Sequence, residues 1–126
     1  MSIVGRCMVQ VAIMLFIGTS VAAAHHSFSM FDAEKTVTLR GVVTDWQWTN
    51  PHVWLIVTVK DENGESHEWG LEGQSPAVLR QQGYLRASVK PGEEVIVNIN
   101  PRRDGSYGGA FLSVTDLSGR PLNQQP

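Results

Sequence analysis

Apolar and polar positions alternate with a period of two along much of the chain beyond residue 35, the signature of half-buried strands. In a first strand starting at Thr36, Val37, Leu39 and Val43 share one parity, while Thr38, Arg40, Thr44 and Trp46 share the other. Gly41 sits mid-run, where a bulge or sharp bend costs little. Asn50-Pro51 ends the strand, because proline disfavours helix at the residue before it and supplies no amide donor. His52 to Lys60 form a second strand that is apolar on both sides. Val53, Leu55, Val57 and Val59 face one way and His52, Trp54, Ile56 and Thr58 the other, so alternation alone leaves the core face open. Asp61-Glu62-Asn63-Gly64 contains the Asn-Gly pair of tight hairpins, and Ser66 to Glu72 returns as a third strand antiparallel to the second.

The pattern then changes. Ser75 as N-cap and Pro76 at the first helical position predict a short helix over Ala77 to Gln82, stopped by Gly83, with a further turn through Tyr84 to Ser88. Lys90-Pro91-Gly92-Glu93 has proline and glycine where a type II turn requires them and opens a fourth strand from Glu94 to Asn100. A glycine-rich connection through Arg102 to Gly109 leads to a fifth strand from Ala110 to Leu117 and a turn at Ser118-Gly119. Three strands, a short helix and two more strands, with a bent first strand, are the wiring of an all-β, five-stranded OB-type barrel. An open antiparallel sheet with one covering helix has the same strand count.

The first 24 residues follow another plan. Arg6 precedes an apolar stretch from Met8 to Ile17, then Gly18, Thr19 and a small-residue zone ending Val21-Ala22-Ala23-Ala24, as in a cleaved secretory signal. The apolar stretch is short for a membrane span, so no stable span is expected after cleavage. The expected organisation is a signal peptide at 1–24, an arm at 25–35 docking through Phe28, Met30 and Phe31, a barrel at 36–122 and a polar tail at 123–126. Removing the first 24 of 126 residues leaves 102, enough for one core. It also takes away Arg6, leaving 9 basic against 12 acidic residues, a formal charge of −3 with histidines neutral. That balance argues against nucleic acid as a partner, since phosphate tracking needs a basic surface. Cys7, the lone cysteine, lies in the signal, so the mature chain has no disulfide or thiolate chemistry.

His25-His26-Ser27-Phe28 after the signal, Phe31-Asp32, the run Trp48-Thr49-Asn50-Pro51-His52-Val53-Trp54, Trp69 with Glu72-Gly73 and Ser75-Pro76, and Lys90-Pro91-Gly92-Glu93 together resemble a family of small exported bacterial proteins, domain of unknown function 6152. The resemblance covers essentially the whole mature chain. It implies export to the periplasm or beyond the cell and names no reaction.

The residues themselves suggest nitrogen-rich metal chemistry. Cleavage after Ala24 makes His25 the first residue, whose α-amine and imidazole chelate one ion; cleavage after Ala23 places a histidine second and another third. Both arrangements suit Cu(II) or Ni(II). An α-amine of pKa about 8 yields its proton to copper near neutral pH. His52 can complete a three-nitrogen set with His25 and His26, or merely cap the Asn50-Pro51 turn. Glu72 and Asp32 are the carboxylates placed to orient a ligating histidine, and Asn50 joins them as a candidate supporting or ligand side chain. Glu72 can equally serve the start of the helix. His67, among Glu65, Ser66 and Glu68, reads as a solvated strand residue.

Trp46, Trp48, Trp54 and Trp69 either form a ligand-binding barrel face or complete a small core. No catalytic triad, paired-acid cleft, phosphate-binding glycine loop or CxxC knuckle is present. The expectation is therefore a periplasmic or secreted, non-enzymatic binding module with Cu(II) at the N-terminal histidines. The alternatives are a small molecule or another exported protein on the tryptophan face, and a copper-dependent redox enzyme or accessory.

Overall fold

Valine, isoleucine and leucine at every second position build five strands, β1 Val37–Gln47, β2 Trp54–Lys60, β3 Ser66–Glu72, β4 Glu94–Pro101 and β5 Gly108–Thr115, with the short helix α1 Pro76–Gln81 between β3 and β4. The structure is a computed structural model that describes residues 28–123. The chain divides into a unit at 1–30 and a unit at 31–126, and the second carries every one of these elements.

The strands close into a barrel in the order β1-β2-β3-β5-β4. All neighbours are antiparallel except β3 and β5, which run parallel at Gly70↔Gly108 to Glu72↔Ala110. This is the OB-type barrel expected from the strand and turn pattern. Closure depends on β1, whose first part pairs with β4 (Val37↔Ile99 to Val42↔Glu94) and whose later part pairs with β2 (Gly41↔Val59 to Gln47↔Trp54). Gly41 and Val42 are bonded into both ladders, and a Cβ at Gly41 would stand 2.6 Å from the Thr58 carbonyl oxygen.

The irregularity in β1 falls beyond Gly41, between Val43 and Asp45. It inverts the parity of the strand. Leu39 and Val43 point inward before it, and Trp46 and Trp48 point inward after it. The type II turn is present, with Gly92 at φ 87° and the Glu93 amide donating to the Lys90 carbonyl at 3.2 Å. It docks on β1 where Val43 donates to the Glu93 carbonyl and Gly92 to that of Val43.

The β2–β3 hairpin forms antiparallel as expected, in the register Val59↔His67 and Lys60↔Ser66. Its left-handed residue is Gly64 alone, at φ 81°, so the loop is longer than the two-residue form that Asn-Gly often makes. Ser75 accepts from the Val78 amide at 3.3 Å as N-cap, and α1 runs from Pro76 to Gln81. Phe31 is buried and bridges Arg102, and the Asp32 amide donates to the Pro101 carbonyl at 2.8 Å. At the other terminus Leu122 donates to the Val114 carbonyl and Asn123 to that of Gln82.

On β2 the set Val53, Leu55 and Val57 faces the core. It meets Leu71, Val95, Val97, Ile99, Phe111 and Val114, while Leu79 of α1 and Tyr84 close the cluster beside Trp46 and Trp48. Each such side chain contributes about 1.5–3 kcal/mol on burial.

Gly41→Ala is expected to destabilise the protein by about 1–3 kcal/mol, because the methyl meets backbone that cannot retreat without opening the β1–β2 ladder. The lowered midpoint of urea unfolding measures it.

Candidate functional site

The β1–β2 loop is held tightly as it enters β2. Thr49 Oγ1 donates to the His52 carbonyl at 3.0 Å, and the Asn50–Pro51 peptide is cis. Val53 donates to the Gln74 carbonyl at 3.0 Å, and Gly73 returns a bond to the Val53 carbonyl at 2.7 Å. These bonds extend the β2–β3 ladder one step beyond its last pair, Trp54↔Glu72. His52 stands two residues before Trp54 on the same outward row, and that row brings it against Glu72.

His52 Nδ1 donates to Glu72 Oε1. Glu72 is the buried charged residue of the described chain, with 6% of its surface exposed, and the His52 side chain retains 25%. A carboxylate so withdrawn from water is costly unless hydrogen-bonded, and the imidazole offsets that cost. The bond also sets the ring's chemistry. With Nδ1 carrying the proton, the lone pair resides on Nε2.

The other candidates are distributed differently. His25 and His26 lie outside the described residues. Asp32 binds the Glu34 amide at 3.2 Å and faces Lys35 at 3.5 Å and Arg103 at 3.9 Å; neither His52 nor Glu72 is among its partners. The Asn50 side chain is exposed beside a groove formed with α1.

The four tryptophans do not share one surface. Trp46 and Trp48 are core residues, with ring centroids 5.6 Å apart, and Trp46 Nε1 donates to the Leu85 carbonyl at 3.1 Å. Trp69 pairs with Val57 on the inward row and leans on Tyr107 with centroids 5.4 Å apart. Trp54 lies on the outward row, where its ring would be 3.8 Å from a Cβ at Gly70.

A cluster that sequence reasoning passed over fastens the hairpin. His67 Nε2 is 2.8 Å from Asp61 Oδ2, and the ring stacks on Tyr107 with centroids 4.2 Å apart. Asp61 Oδ1 accepts from the Asn63 and Glu65 amides, both at 2.9 Å. The hydrogen bond from His67 chiefly holds the Asp61 carboxyl below its ordinary pKa, with the two backbone amides assisting. Asp61, Glu65 and His67 place possible ligand atoms within 4.8 Å of one another, but Asp61 is already engaged within the hairpin. The hint in the sequence was an aspartate opening the turn with a histidine six residues on; the stacking partner, forty residues away, left none.

A model of a family of unknown function, DUF6152, matches residues 13–111. The chain belongs to this family. The match spans the paired histidines, His52 and Glu72. No curated protein matches the chain significantly. Two crystal forms of the mitochondrial single-stranded DNA-binding protein Rim1 from S. cerevisiae are similar to it. Form 1 has 10% identity and a TM-score of 0.47, covering 66% of this chain and 92% of Rim1. Form 2 has 14% identity and a TM-score of 0.49, covering 66% and 94%.

Two predictions concern these pairs. In a double-mutant cycle, His52→Ala and Glu72→Ala are each destabilising, with a coupling on the order of 1–3 kcal/mol in urea unfolding. For Asp61, a depressed folded pKa means stability that is present above the ordinary value of 3.8 and lost as pH falls through the folded value. Asp61→Asn is therefore expected to flatten the acid limb of stability below about pH 4, read from urea midpoints across an acid series.

Proposed function

We propose that this protein is an exported, non-enzymatic binding module that takes up Cu(II) through the amine-terminal histidines His25 and His26 together with His52. Export is supported by the pattern of residues 1–24, in which one arginine, an apolar stretch and an alanine-rich junction follow the order of a cleaved signal. Cleavage at that junction places a chelating α-amine beside two imidazoles.

The observation that carries the reading is the His52–Glu72 hydrogen bond. A carboxylate holding Nδ1–H of a histidine is the usual support of a metal-ligating imidazole, since it fixes the tautomer and orients the ring. A histidine that only caps a turn needs no buried acid behind it. Copper suits the set because amine and imidazole nitrogens match its preferred ligands and it heads the affinity order of the divalent ions. Glu72 supplies orientation and charge in this scheme, and its tie to Nδ1 leaves Nε2 as the ligating nitrogen.

Copper titration of the processed, exported protein, followed by electron spin resonance and by competition with a chelator, tests the reading. One nitrogen-coordinated Cu(II) per chain is expected. His52→Ala should weaken binding at least tenfold, and Glu72→Gln about ten- to a hundredfold. Affinity and spectrum equal to those of a peptide of residues 25–35, unchanged by His52→Ala, would sink it.

A further inference from the structure

A groove of about 560 Å³ separates the β1–β2 loop from α1 and the turn that follows α1. That volume is typical of small-molecule sites. Trp48, Asn50, Arg80, Leu85 and Arg86 line it, and among the described residues no carboxylate does. Arg80 lies in the last turn of the helix and Arg86 beyond Gly83, so the fold brings two guanidinium groups to one opening on a chain whose formal charge is −2.

The polar side chains of this groove share a property: the protein does not use them. The ion pairs among the described residues engage Lys35, His52, His67, Arg103 and Arg120, and neither Arg80 nor Arg86 has an acidic partner or a side-chain hydrogen bond. Trp48 is only 7% exposed, yet its Nε1–H meets no acceptor, whereas that of Trp46 is satisfied by Leu85. Among the described residues the fully enclosed side-chain nitrogen or oxygen without a partner is Arg102 Nε. The Trp48 donor is therefore not sealed in, and Trp48 borders this groove.

Two guanidinium groups and an indole N–H only donate. Arranged without an acid, they fit a ligand that only accepts, and the planar fork of arginine matches the oxygens of a carboxylate or phosphate. We propose that the groove binds a small organic dianion, held by Arg80 and Arg86 and oriented by the Trp48 indole N–H, with the Asn50 amide free to meet a neutral polar substituent. A nucleic acid strand is a poorer fit, because the acidic chain as a whole would repel it.

Succinate and phenyl phosphate serve as probes, titrated into the ¹⁵N-labelled exported protein while the Trp48 indole resonance is followed. A saturable shift of that resonance with either dianion is expected, weakening as salt is raised; which probe binds more tightly distinguishes a carboxylate from a phosphate ligand. The neutral isostere succinamide should produce no saturable shift. The double substitution Arg80→Gln and Arg86→Gln, at exposed positions, should lower affinity at least tenfold while leaving the spectrum otherwise native. The proposal is overturned by no saturable shift with either dianion, by an equal response to succinamide, or by undiminished affinity in the double variant.

Discussion

Everything in this barrel depends on one strand belonging to two ladders. β1 gives its first residues to β4 and its later residues to β2, and the exchange occurs at Gly41 and Val42, which are bonded on both sides. A strand that changes partner must coil sharply, and the missing side chain at Gly41 lets the Thr58 carbonyl approach. Once β1 is so placed, the register of β4 follows and turns Val95, Val97 and Ile99 inward, and the register of β2 turns Leu55 and Val57 toward them. The barrel is thus closed by hydrogen bonds that the hydrophobic core then makes worthwhile.

The same registers locate the candidate metal ligand. Because Trp54 opposes Glu72, His52, two residues before Trp54 on the same row, is a diagonal neighbour of that carboxylate, and its ring reaches across to Oε1. The bonds between Val53 and the segment Gly73–Gln74 keep the loop from fraying at that point. The pairing of imidazole and acid is therefore a consequence of strand geometry, produced between residues twenty apart in the chain.

Strand order, hairpin, helix and type II turn were legible because each is written in local chemistry: alternation at period two, Ser75-Pro76 before a helix, Pro91-Gly92 in a turn. The core face of β2 was not, since both of its sides are apolar and only pairing with Leu71 decides between them. The burial of Trp46 was illegible for a related reason. It shares parity with Thr38, Arg40 and Thr44, and the bulge after Val43, which no residue type announces, carries it from the polar row to the core. His52 and Glu72 could each be picked out as chemically able. That they meet is a fact about register, and the stacking of His67 on Tyr107 is a fact about a loop returning from the far side of β4.

Opposite electrostatics distinguish the two surfaces served by the β1–β2 loop. His52 with Glu72 presents a basic nitrogen backed by negative charge, an environment for a cation. Trp48 with Arg80 and Arg86 presents donors without an acid, an environment for an anion. Trp48 and His52 are only four residues apart, yet Trp48 is anchored in the core and His52 over β3, so the intervening Thr49-Asn50-Pro51 is fixed at both ends. A loop held in this way cannot shift toward one ligand by much without disturbing core packing or the buried acid. Preformed geometry favours any ligand that either surface takes, because ordering a mobile loop on binding would weaken affinity.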